Sequence, residues 1–136
     1  MEIQTFFLAL EVRQRGPGDY TAVTACISQF SPPDGEFPLQ VRLPYLMLLR
    51  RSSQEQTETF TLRFDLIDED GRLIGAPSNV QASGSFPADH KSLLLSGHIF
   101  FVFPLPGCYR LDITADEEVS AHLYSYDLEI GAGSSV

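Results

Sequence analysis

The sequence predicts an all-β protein: one antiparallel β-sandwich, immunoglobulin-like, of about seven to nine strands. Three observations carry that prediction. Apolar and polar residues alternate with period two through nearly every segment. No window of a dozen residues or so carries a helical stripe, and turn signals recur about every 8–12 residues. The composition agrees, with ten Phe, five Tyr and no Trp in a chain that is 43% apolar and 20% charged. Such a chain folds around a sheet core and is not disordered. Its 136 residues suit a single domain, expected over residues 1–130 and followed by a fraying tail at 131–136.

The segments follow in order. In TFFLALEV, Phe6, Leu8, Leu10 and Val12 share one face, while Phe7, Ala9 and Glu11 share the other. RGPGD turns the chain, Pro17 fixing φ and the glycines permitting positive φ. Segment 20–30 alternates again with Val23, Ala25 and Ile27 inward, and SPPDGE is a loop. Leu39, Val41, Leu43, Tyr45, Met47 and Leu49 form the odd face of the next strand, and the polar RSSQEQTE breaks the pattern. Phe60, Leu62, Phe64 and Leu66 then oppose Thr61, Arg63 and Asp65. Segment 78–86 is poor in large apolar residues and reads as an edge. LLLSGHIFFVF, at 93–103, is apolar on both faces, and PLPG ends it. Tyr109, Leu111, Ile113 and Ala115 alternate with Arg110, Asp112 and Thr114 before DEE turns the chain into a last strand over 119–130.

LIDEDGRLIG is the stretch that comes nearest to announcing a chemistry. An EF-hand loop with Gly71 at its sixth position would begin at Leu66 and end at Pro77. Neither residue can supply the required oxygen ligand. What remains is a hairpin turn: acidic side chains accept nearby backbone N–H groups and Gly71 supplies a left-handed residue. A cation held by Asp65, Asp68 and Asp70, joined by Asp116 or Glu117, is the lesser alternative. It requires loops that converge in space.

Nine basic against eighteen acidic residues leave a net charge of -9. That argues against a nucleic-acid footprint, which needs clustered Lys and Arg, and against docking on anionic lipid. MEIQTFFLALEV lacks the basic start and cleavage site of a secretory signal, and no run is long enough to span a bilayer. The expected location is cytoplasmic. Cys26 and Cys108 read as reduced, half-buried thiols in preference to a disulfide.

No cofactor and no catalytic residue is expected. His90, His98 and His122 lack the spacing of metal ligands, and His98 reads as a hydrogen-bonded strand histidine. No serine sits in a nucleophile elbow. A two-layer sandwich should carry polar residues on its outer faces, and Leu46, Leu48, Leu94, Phe100 and Val102 break that rule. Either the chain covers them itself, with a bulge at Pro44 reversing the phase, or they form an interface. The expected partner is a second copy, a dimer in the first instance. The function expected is therefore a non-enzymatic, self-associating interaction module. The alternative is a cation- or carbohydrate-binding module using loops at one end.

TFFLAL, a Gly-bearing turn, PLQVRL, LIDEDGRLIG and PLPGCYRLDI, taken in that order, resemble a family of small bacterial β-sandwich proteins known only as a domain of unknown function. Pro-Gly-x-Tyr within the last of these also opens strands in immunoglobulin-like modules. The polar stretch at 51–58 is longer here. The resemblance implies the sandwich fold and transfers no site residue.

Overall fold

The structure, a computed structural model, describes residues 1–17, 19–25, 28–30, 36–51, 59–74, 81–86, 90–115 and 121–131. Cys26, Asp116, Glu117 and residues 132–136 of the expected tail lie outside them. The described residues form ten strands and no helix: β1 (Glu2–Gly16), β2 (Asp19–Ala25), β3 (Gln29–Phe30), β4 (Leu39–Arg50), β5 (Thr59–Ile67), β6 (Leu73–Ile74), β7 (Gln81–Ser85), β8 (Ser92–Phe103), β9 (Gly107–Ala115) and β10 (Ala121–Ile130). Eight have five residues or more, and β3 and β6 have two each. No helix among these residues is long and apolar enough to cross a membrane.

The strands make two sheets that pack face to face as an antiparallel β-sandwich. One has the order β2-β1-β4-β8; the other has the order β3-β10-β9-β5-β6, with β7 also paired to β5. Every pairing is antiparallel except the two-residue contact of β3 with β10. A single core cluster fills the space between the sheets. Phe6 of the first sheet lies 6.4 Å from Phe64 and 5.4 Å from Tyr126 of the second, ring centre to ring centre. Phe101 and Phe103 stack at 5.3 Å, and Tyr109 meets Phe103 edge-on at 5.0 Å. Aromatic pairs at such distances add to the burial of their area.

β1 belongs to two ladders. It pairs β4 from Glu2↔Arg50 to Leu8↔Tyr45, then pairs β2 from Ala9↔Ala25 to Gly16↔Asp19. The handover falls beside Pro44, which has no N–H to give to a ladder. A bulge between Ile3 and Thr5 lets Ile3, Phe6 and Leu8 all point inward. Leu10 keeps their phase but lies on the part of β1 that has left β4, and it is 54% exposed.

The β4–β8 ladder runs without a register shift from Leu39↔Phe103 to Arg50↔Ser92. No bulge at Pro44 reverses the phase. Odd residues of both strands therefore face the core throughout, and even residues face out. The weak segment near residue 80 is an edge as expected, pairing β5 through Gln81–Ser85. Its contribution to the core comes from Phe86, buried against Phe60 at 5.4 Å. Gly131, placed in the tail from sequence, is tied by its N–H to the Phe30 carbonyl at 2.9 Å.

Candidate functional site

The two sheets have unlike outer faces. On the six-stranded sheet that face is polar and internally paired. Asp65 and Asp112 stand opposite one another across β5 and β9, an arrangement in which like charges repel. Each is matched by an arginine two positions earlier. Arg63 Nε donates to Asp65 Oδ2 at 3.1 Å, and Arg110 grips Asp112 with Nε and Nη2 at 2.8 and 3.1 Å. The other oxygen of Asp65, Oδ1, is buried without a hydrogen-bond partner.

A bulge between His122 and Tyr124 turns His122 onto the same outer face, opposite Thr114. Ser125 Oγ then donates to Asp112 Oδ1 at 2.8 Å and lies 3.1 Å from His122 Nε2. These are the residue types of a hydrolytic triad in the wrong order. Serine sits between the other two and spends its proton on the carboxylate. A triad needs the imidazole in the middle, oriented by the acid and basic toward the hydroxyl. The sequence gives no sign of this cluster, because the bulge that builds it is decided by pairing with β9.

The acidic stretch is the turn expected. Asp68 N–H donates to the Arg72 carbonyl at 2.9 Å and Gly71 N–H to the Asp68 carbonyl at 3.1 Å. Asp68 Oδ1 accepts from the N–H groups of Asp70 and Arg72 at 3.0 and 2.8 Å. Gly71 supplies the positive φ, 80°. Glu69 reaches across to the next turn, where its Oε1 accepts the N–H of Cys108 at 2.8 Å. Asp65, on the sheet face with Arg63, stands apart from this turn. Among the described residues no group of three or more His, Cys, Asp or Glu side chains gathers as metal ligands do.

The turn after β8 is held from within. Tyr109 Oη donates to the Leu105 carbonyl at 2.6 Å and lies 3.4 Å from the Leu105 N–H. This is the local form of a tyrosine corner. Burial raises the Tyr109 phenol above its ordinary pKa, and the nearby charges of Asp68 and Glu69 add to that against the opposing Leu105 contact. A cleft of about 180 Å³ lies between the two turns, bordered by Asp70, Ile74, Leu105 and Tyr109. Cys108 departs from expectation: its thiol is free and exposed, not half-buried. The reason is its position on the outward phase of β9, between buried Tyr109 and the PLPG turn.

The outer face of the four-stranded sheet carries apolar side chains on β1, β4 and β8 beside Arg42, Arg50, Ser92 and Ser96. The ladder sets Leu48 opposite Leu94 and Leu46 opposite Ser96. On the other side of β4 it sets Leu46 opposite Phe7 and Leu48 opposite Thr5. Leu46, Leu48, Leu94 and Phe7 are half-buried, and none belongs to the core cluster. Phe100 and Val102 lie farther along β8 on the same face, opposite Arg42 and Gln40, and are 56% and 37% exposed. His98, opposite Pro44, sits between the two groups and is exposed. The structure thus brings Leu46, Leu48 and Leu94 into one patch and sets Phe100 and Val102 farther along β8 on the same face, beyond Ser96 and His98. Phe7 completes the patch. Its signal in the sequence is the Phe6-Phe7 pair, since alternation sends one ring of the two outward.

No family model matches the chain, and no curated protein matches it. Among solved structures it is similar to a family 123 glycoside hydrolase from Clostridium perfringens, described in connection with glycolipid glycan hydrolysis. The likeness has a TM-score of 0.35 at 19% identity, over 69% of this chain and 21% of that one. The chain thus spans about a fifth of that enzyme's length.

Proposed function

We propose that this protein is a non-enzymatic β-sandwich interaction module that associates with a second copy of itself through the outer face of its four-stranded sheet. The contrast between the two outer faces carries the reading. One is closed by its own ion pairs and hydrogen bonds, whereas the other presents Phe7, Leu46, Leu48, Leu94, Phe100 and Val102. Burying a side chain of this size is worth about 1.5–3 kcal/mol over leaving it in water, and contiguous exposed apolar patches mark interfaces. A second copy suits the patch because each chain carries a net charge of -9, so copies repel least where the outer side of β4 and β8, which bears no acidic side chain, meets its like.

Light scattering behind a sizing column tests this. The expected mass is a multiple of 15.1 kDa, reduced by Phe100→Asp without loss of the folded state. A wild-type mass of one chain at all concentrations rejects the reading.

The cleft between the acidic turn and the tyrosine corner favours a second reading, a module that binds a cation or carbohydrate at that end. Two of the three carboxylates there, those of Asp68 and Glu69, already accept backbone N–H groups. The face of the sheet is therefore the stronger candidate.

A further inference from the structure

β8 stands at the end of the four-stranded sheet and pairs only with β4 among the described residues. A strand edge of this kind exposes a row of N–H and C=O groups and templates the addition of another strand, unless something blunts it. The other edges among the described residues are shorter, charged or bulged. β10, which β3 covers only at Glu129 and Ile130, carries Asp127 and a bulge between His122 and Tyr124. β3 and β6 have two residues each, β7 has five and contains Gly84, and β2 meets its partner through a register shift and begins with Asp19. β8 has twelve residues, SLLLSGHIFFVF, with no proline and no Asp, Glu, Lys or Arg, and its ladder to β4 carries no bulge.

From this we infer a second self-contact: the free edge of β8 pairs antiparallel with β8 of another copy and continues the sheet across a two-fold axis. Three observations select a second copy as the occupant. The site asks for a long, uncharged, apolar strand, and β8 is itself such a strand. Antiparallel self-pairing places like residues near one another, which penalises any charged strand and costs this one nothing. A chain of charge -9 also meets its own kind most cheaply along its neutral strip.

Keeping outer residues on the outer face requires paired residue numbers to sum to an even value. Full overlap of the strand then puts the axis at Gly97 or His98. In either register His98 lies within about 7 Å of its mate along the strand, and Ser92 lies roughly 33–40 Å from its own. The contact extends the self-association reading. Together, the face and edge contacts are two isologous interfaces, and with their two-fold axes meeting at right angles they close as a tetramer of D2 symmetry.

The experiment separates the two contacts. The expected wild-type mass is four chains. Leu46→Asp lies on the face one strand in from the edge and should leave a dimer. In that dimer, with Cys26→Ser and Cys108→Ser as background, His98→Cys should cross-link through a short bis-maleimide and Ser92→Cys should not. A folded Leu46→Asp protein that is monomeric overturns the edge contact and keeps the face. A Leu46→Asp protein with wild-type mass overturns the face contact, and the same cross-links then decide the edge. Should Leu46→Asp fail to fold, amide exchange of wild-type residues 92–103 decides instead. Protection that rises with concentration supports the edge contact, and fast exchange on every second amide overturns it. A wild-type monomer overturns both contacts.

Discussion

Tyr45 on β4 lies flat over Gly97 on β8, its partner across the ladder. A Cβ built on Gly97 would fall 2.7 Å from the Tyr45 oxygen and 2.8 Å from two ring carbons. The other sheet repeats the relationship, with the ring of Phe60 over Gly84 of β7. In both sheets a large ring fills the space left by a glycine on an outer strand, which pins the register there.

Gly97→Ala should therefore destabilise the fold by about 1–3 kcal/mol through overpacking, read as a lower urea midpoint with an unchanged slope. Tyr45→Phe should not relieve it, since two ring carbons remain in the way. Tyr45→Leu should relieve part of it, giving a coupling energy of at least about 0.5 kcal/mol in a double-mutant cycle.

Phe100 and Phe101 are neighbours with opposite fates. Phe101→Ala opens the core beside Phe103 and should cost about 3–5 kcal/mol. Phe100→Ala should leave subunit stability within about 0.5 kcal/mol while reducing the mass measured by light scattering. A large stability loss in Phe100→Ala would place that residue in the core and remove the interface.

Asp68 acts as an acceptor for two backbone N–H groups, which an amide oxygen can replace. Asp68→Ala should cost about 0.5–2 kcal/mol, as for a lost cap, and Asp68→Asn only a small part of that. Millimolar Ca²⁺ should leave the melting temperature of the wild type unchanged. A rise abolished by Asp68→Asn would revive the cation reading.

Burial raises the phenol pKa of both Tyr45 and Tyr109. The unfolded chain loses these protons near about pH 10 while the folded chain keeps them. Above that pH the native state binds more protons, so stability falls as pH rises, whereas below it the contribution is complete. Urea unfolding from about pH 8 to about pH 11 should show this decline, and Tyr45→Phe or Tyr109→Phe should flatten it.

Association through neutral apolar surfaces between copies of charge -9 should strengthen with salt, because screening weakens the repulsion between subunits. The oligomeric fraction at fixed protein concentration is expected to grow between about 0.02 and about 0.5 M NaCl. A fall would point to ion pairs at the interface.

Much of this protein is written locally. Alternation alone put Phe60, Leu62, Phe64 and Leu66 on one face, because side chains of an extended strand point to opposite sides with period two. The turn at Asp68–Gly71 was equally legible, since its hydrogen bonds join residues no more than four apart. The outward apolar residues could be named for the same reason. Whether Leu46 meets Leu94 or Phe7, and whether Pro44 shifts the phase, depends on which strands pair and in what register. That is a competition among distant segments for one core. Tertiary pairing also made the bulge that gathers His122, Ser125 and Asp112, and brought Glu69 to the N–H of Cys108, 39 residues away. The sequence by itself determined the long strands and the acidic turn, but it read residues 20–30 as one segment where the structure has β2 in one sheet and β3 in the other. The low apolar content of segment 78–86 marked β7 as an edge. Only the tertiary structure decided that β8, apolar on both faces, was left at one too, because there the edge is defined by the neighbour the strand lacks.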